Sequence, residues 1–194
     1  MATTRTMPET MGESDVIDLL QRQHALIRDL FDEVERSSGT QRREAFQRLV
    51  RLLAVHETAE EEIVHPYARR TLPGGVEVVD ERLAEERSAK ELLQQMDQAG
   101  VDDPNFMTNL ERLRVEVIAH ARAEERYEFL QLRAHTTEAE RRSMAAGVKA
   151  AEAMAPTHPH PGTESATKNV LIGTPMAMID RVRDVIRKAM GKQA

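Results

Sequence analysis

Three stretches of this chain repeat apolar residues at alternating spacings of three and four, and charged or ionisable residues break each repeat near its middle. The first runs Ile17, Leu20, His24, Ile27, Phe31, Val34. The second runs Phe46, Leu49, Leu53, His56, Glu60, Ile63, Tyr67, and the third Leu110, Leu113, Val117, His120, Glu124, Tyr127. Such spacing puts side chains on one face of a 3.6-residue helix, so each set is a stripe that has to be buried. The pattern predicts long amphipathic helices packed face to face. No segment shows the strict alternation of a strand.

Breaks in the pattern set the helix ends. Residues 1–13 read as a flexible leader before Ser14, a helix-capping residue type, and helix one runs to about Arg36 before "SSGT". Thr40 opens helix two, which continues to about Arg70 and the turn "TLPGG". Helix three spans about Val76 to Gln98, and helix four about Pro104 to Ala134. A fifth helix, Glu138 to Met154, precedes the linker-like "APTHPHPG"; Thr174-Pro175 then opens a last helix to about Met190. Four long helices with short connections imply an all-α, up-down-up-down four-helix bundle over residues 14–135, with additional C-terminal helices in 136–194.

Composition narrows the chemistry. The chain has no cysteine, which excludes disulfides, thiolate metal sites and cysteine nucleophiles. It has no apolar run near the ~20 residues of a membrane span and no secretory h-region, so a cytoplasmic protein is expected. A net charge of −6 argues against nucleic acid as a partner. From residue 157 onward, Lys168, Arg181, Arg183, Arg187, Lys188 and Lys192 outnumber Glu164, Asp180 and Asp184, so the tail is basic and the body acidic. The last helix is expected to dock on the acidic bundle; the sharper reading is an amphipathic helix for a membrane surface or a partner. A monomer or weak homodimer is expected.

The polar breaks are the informative part. "LAVHETAEEEIVHP" and "IAHARAEERYEFL" each contain His-x-x-x-Glu, which stacks the two side chains one turn apart on one helix face. Buried imidazoles and carboxylates at one depth need compensation, and a metal supplies it. His24, His56, Glu60, His120 and Glu124 are therefore candidate ligands, and imidazole with carboxylate suits iron, manganese or zinc. Two carboxylates on facing helices can bridge a pair of ions. Helix three has no histidine in "LAEERSAKELLQQM". Its apolar arc is Val79, Leu83, Ala89, Leu93 and Met96, with Glu86 near the centre and Arg87 toward the edge as a flanking partner.

His24, "HETAEE" and "HARAEE", at these separations, resemble the hemerythrin-like (HHE cation-binding) family over about residues 15 to 132. The resemblance implies an antiparallel bundle holding a non-haem di-iron pair, oxo- or hydroxo-bridged. His24, His56 and His120 would be terminal ligands, and Glu60 and Glu124 bridges. Where relatives read "AEH" this chain reads Ala84-Glu85-Glu86, so Glu86 takes the place of a histidine. That exchange adds negative charge and favours higher oxidation states of iron. The function implied is reaction with a small oxidant (H2O2 decomposition in oxidative stress, or O2 binding). The alternatives are an O2, NO or iron sensor signalling through the basic tail, and a metal-free interaction scaffold.

Further residues belong to the periphery of this reading. Glu57 is a further candidate ligand; Glu61 and Glu125 lie about 100° off the seam and are expected in solvent, although longer His-to-carboxylate spacings in the family keep Glu125 a minor candidate. Tyr67 and Tyr127 are expected on the seams, as packing residues or donors to a bound oxygen species. His65 falls off the seam beside Pro66, and His135, His158 and His160 lie outside the bundle. A ferritin-like di-iron site needs Glu-x-x-His on two helices, and only Glu62-Ile-Val-His65 fits.

Overall fold

The computed structural model describes residues 15–154 together with 183 and 184. The expected leader with Ser14, the linker with His158 and His160, and nearly all of the last helix lie outside the described residues. Helix α1 is Val16–Arg36; its cap is Asp15, whose carboxylate accepts from the N–H groups of Ile17 and Asp18. Helix α2, Gly39–Ala59, passes through a π turn, Glu60–Val64, into α3, His65–Thr71. Helix α4 is Gly75–Ala99. Helix α5, Phe106–Ala123, likewise passes through a π turn, Glu124–Glu128, into α6, Phe129–His135. Helix α7 is Glu138–Met154.

The two expected long helices are thus each continuous but locally rewound. α1 packs on α2, α3 on α4, α4 on α5, and α5 returns to α1, which closes the up-down-up-down bundle. α7 lies along α1 and α2 outside this ring. Its start is a reciprocal cap: the Glu140 carboxylate accepts from the Thr137 N–H, and the Glu140 N–H donates back to the Thr137 hydroxyl. Among the described residues no helix is long and apolar enough to cross a membrane.

Between α3 and α4 the chain reverses at Leu72, Pro73 and Gly74. Gly74 has φ +66°, and a Cβ at Gly75 would fall 2.4 Å from the Ala68 carbonyl oxygen. Two glycines therefore let α4 begin in contact with α3, which sets the height of Glu86.

A small apolar cluster, Ala68, Leu72 and Val79, packs α3 on α4, and two large ones fill the bundle. One gathers Val16, Ile17 and Leu20 with Val55, Ile63, Phe129, Leu132 and Val148 of α7. The other gathers Ile27, Phe31 and Val34 with Phe46, Leu49, Leu93, Met96, Leu110 and Leu113. His24 lies between the two along α1, and His56 and His120 take the same level on α2 and α5. The polar layer sits between two apolar ones.

Candidate metal centre

The polar layer holds an unusual load of buried charge. Glu57, Glu60, Glu86, Glu124 and Glu128 are all buried, with His24, His56, His65 and His120. Lys90 lies beside the layer, with Nζ 2.6 Å from Glu61, 3.3 Å from Glu86 and 3.5 Å from Glu57. Arg87, expected to flank Glu86, is instead exposed, and Lys90, one turn on from Glu86, takes that place.

Three histidines are held from behind. His24 Nδ1–H donates to Glu125 at 2.8 Å, and His120 Nδ1–H to Glu85 at 2.9 Å. His56 Nδ1–H donates to Gln23 Oε1 at 2.7 Å; Gln23 Nε2 in turn donates to Glu152 of α7 at 2.7 Å, which fixes the amide's orientation. Carboxylate and carbonyl oxygens only accept, so each Nδ1 carries a proton, and Nε2 is the nitrogen that can offer a lone pair to a cation. All three Nε2 atoms point into the layer. His24 Nε2 and His56 Nε2 face each other at 3.1 Å, and the Phe129 ring stacks on His24.

Two carboxylates meet these nitrogens. Glu124 presents one oxygen to His24 Nε2 at 3.3 Å and the other to His120 Nε2 at 3.4 Å. Glu60 lies 3.4 Å from His56 Nε2. None of these approaches is aligned as a hydrogen bond. Both oxygens of Glu60, both of Glu124 and His120 Nε2 are buried without a hydrogen-bond partner among the described residues. Such orphaned acceptors cost several kcal/mol together unless a cation lies among them.

Donor spacing fits a cation. Single ligand atoms of His24, His56, Glu60 and Glu124 all lie within 4.8 Å of one another, and so do those of Glu60, Glu86 and His120. Bonds of about 2.0–2.2 Å place opposing donors roughly 4 Å apart, so each group can contract onto one ion. Glu60 belongs to both groups. All six residues expected as ligands fall in one group or the other.

Electrostatics agree with a site built for positive charge. Burial, reinforced by Glu124, Glu86, Glu128 and Glu57, drives the Glu60 carboxyl well above its ordinary range. Burial pushes Glu57 up to about 8 despite Lys90. Burial and the neighbouring His24 hold His56 well below the usual imidazole value. Burial opposes charge on Glu124 as well, but His120 and His24 prevail and hold it low. His120 is held high against burial by Glu124 and Glu85.

His65 corrects the sequence reading. Expected off the seam, it is 2% exposed, with Nε2 2.6 Å from Glu86 and Nδ1 3.3 Å from Glu128. At ~100° per residue an α-helix would leave His65 ~140° from Glu60; a π turn absorbs one extra residue and brings it back to within ~40°. The same rotation carries Tyr67 and Tyr127 off their seams. Tyr127 is 61% exposed, and the Tyr67 hydroxyl donates to Glu140 on α7, so neither faces the polar layer. Pro66 gives the first π turn a cause, since it has no N–H for the Glu62 carbonyl and its ring crowds that carbonyl. Nothing in residues 124–129 explains the second. A proline inside a helical pattern was the available signal for His65; Gln23, Glu85 and Glu128 carried none.

Known proteins match the same features. The sequence profile described as Hemerythrin HHE cation binding domain matches residues 15–156. The chain belongs to this family. An uncharacterized hemerythrin-like protein of Schizosaccharomyces pombe is 28% identical over 138 residues, covering 70% of this chain and 68% of that protein. A DNA nickase of Nostoc sp. is 27% identical over 141 residues; the match covers 72% of this chain and 40% of the nickase, less than half its length. A crystal structure of a Hemerythrin HHE cation binding domain-containing protein from Mycobacterium kansasii superposes with a TM-score of 0.67 at 17% identity, over 88% of this chain and 99% of that one. The hemerythrin-like chain thus combines an all-α cation-binding fold with a buried His/Glu cluster that suits a metal.

Proposed function

We propose that this hemerythrin-like protein holds two iron ions and reacts with a small oxidant, with H2O2 decomposition as the favoured reaction and O2 binding as the related one. One observation carries the reading: two donor groups share Glu60, while the oxygens of Glu124 face a histidine of each group. That is the arrangement two bridging carboxylates need between paired ions. His24 and His56 would serve one ion, and His120 and Glu86 the other. A bound iron pair supplies electron exchange and an open coordination position for a small molecule.

The chain's own residues define what can reach the site. A cavity of about 20 Å3 borders His24, His56 and His120, with Ile27, Leu53 and Val117 as apolar wall. Its size suits a molecule of very few atoms rather than a bulky organic substrate. Glu57 lines the same cavity, and in the metal-free protein burial pushes its carboxyl up to about 8. The outer partners Glu125, Gln23 and Glu85 hold the histidines in one tautomer, so the nitrogens stay aimed while the charge at the centre changes.

Metal analysis after iron-replete expression tests the reading: two irons per chain with near-ultraviolet absorption in the oxidised protein are expected. Fewer than one iron per chain would sink it. Oxygen evolution from added peroxide identifies the enzyme; iron loading without it points to binding or sensing. The sensor reading has one observation of its own, the donation of Arg183 Nε from the basic tail to Glu62 in the first π turn at 2.7 Å.

A further inference from the structure

We propose that His65 is a positioning residue that holds Glu86 in place as the helix-three ligand. The inference rests on the metal-centre reading above and adds a residue to it. Glu86 is the odd member of the ligand set, a carboxylate where three other ligand positions offer imidazoles. A free glutamate has three side-chain torsions and two equivalent oxygens, so it needs outside contacts to be as well aimed as a histidine.

His65 supplies the first contact. Its Nε2 is 2.6 Å from Glu86 Oε1, in a setting where both residues are buried. Lys90 Nζ, 3.3 Å from Oε2, supplies the second, so the carboxylate plane is defined from two sides. His65 is itself anchored through Nδ1 to Glu128 Oε1 at 3.3 Å. Both of its ring nitrogens therefore face carboxylate oxygens, and both donate.

This separates His65 from the other three buried histidines. Their Nδ1 atoms are bound behind and their Nε2 atoms open into the cluster. His65 has no free nitrogen toward the cluster and belongs to neither group of converging donors, whereas Glu86 does. The backbone makes the placement deliberate. The N–H that defines the π turn is that of His65, donated to the Glu60 carbonyl. The residue that orients Glu86 is thus tied to the residue shared by the two groups.

Fe(II) and Co(II) titration of the metal-free full-length chain tests the proposal, read by stoichiometry and by the Co(II) visible spectrum. Wild type is expected to take two ions. His65→Ala should keep one ion at normal affinity and lose 10- to 100-fold at the second, as removal of an orienting partner does elsewhere. His65→Gln, whose amide N–H reaches the same oxygen, should recover most of the second-site affinity and restore the wild-type Co(II) bands. Circular dichroism and thermal melts show which variants are folded. Should His65→Ala not fold, Glu128→Leu, which removes the acceptor for His65 Nδ1–H, serves in its place, with a smaller second-site loss expected; unchanged second-site affinity there would overturn the proposal.

Two outcomes overturn the proposal alone, given wild type that binds two ions. One is a second-site affinity unchanged in His65→Ala. The other is a His65→Gln variant as deficient as His65→Ala, which would mean that the imidazole itself is required as a ligand. Wild type that takes up no metal would overturn the metal-centre reading and this proposal together.

Discussion

Glu60 shows how one residue can be costly for stability and necessary for a site. Its carboxylate is fully buried, lies among Glu124, Glu86, Glu128 and Glu57, and has both oxygens without a hydrogen-bond donor among the described residues. In the metal-free protein that carboxyl must hold its charge or bind a proton on folding, and an uncharged isostere avoids both costs. Glu60→Gln is expected to raise metal-free stability by about 1–3 kcal/mol. The same change should abolish uptake of the second ion and weaken the first, because Glu60 belongs to both donor groups. Denaturant melts in chelator, beside metal analysis of iron-grown protein, check both halves. A destabilised metal-free Glu60→Gln would show that the carboxylate has a protein partner that the geometry does not reveal. Glu86→Ala should behave differently, losing one ion and keeping the other.

At the scale of elements, the helices were legible where an unbroken α period held and illegible where it did not. Every expected inward residue of α1 is buried, including His24, because Val16–Arg36 keeps its period throughout. On α2 and α5 the expected seam is right up to Glu60 and Glu124, the residues at which the two π turns begin. Past those points the period is out by about one residue, which turned His65 inward and Tyr127 outward, while Ile63 stays buried and Tyr67 packs against the apolar cluster beside α7 rather than facing the polar layer. Gln23, Glu85 and Glu128 were missed for another reason: they act through contacts between helices, and a single helix's periodicity does not encode its neighbour's side chains.

Two element-scale expectations follow from the turns and caps. Gly75→Ala would force a Cβ against the Ala68 carbonyl at 2.4 Å, so α4 must shift. A loss of about 1–3 kcal/mol in denaturant melts is expected, with weaker metal uptake as Glu86 moves. A melt unchanged within error would mean that the α3–α4 turn yields freely. The start of α7 should be acid-sensitive. Hydrogen bonds from Tyr67 and Thr137 hold the Glu140 carboxyl down at about 2, against an ordinary 4.5. A depressed carboxylate contributes stability fully above about 4.5 and loses it as pH falls toward about 2. The stability gap between wild type and Glu140→Gln should therefore close across that window, and a gap independent of pH would refute the assignment.

At the scale of the whole molecule, the polar layer separates the two large apolar clusters, which share α1 and α2. Each cluster is built from several helices, so the bundle has a core on either side of the site that does not depend on metal. The layer itself gathers five buried glutamates around one nearby lysine and is the weakest level of the bundle without a cation. Metal removal should therefore loosen the middle and leave the ends intact. Circular dichroism should show helix content nearly unchanged in chelator. Hydrogen exchange should speed up around residues 54–65 and 118–128 while the amides near Phe31, Phe46 and Leu110 remain protected. A ligand at 100 times its Kd adds about 2.7 kcal/mol, and for a chain of this size that raises Tm by roughly 5–10 °C. Since the ligands come from four separate elements of the ring, the gain should grow with free Fe(II) concentration and vanish in Glu60→Gln. Uniform loss of protection along the whole bundle on chelation would contradict this picture, because it would make the two apolar clusters dependent on the metal rather than its scaffold.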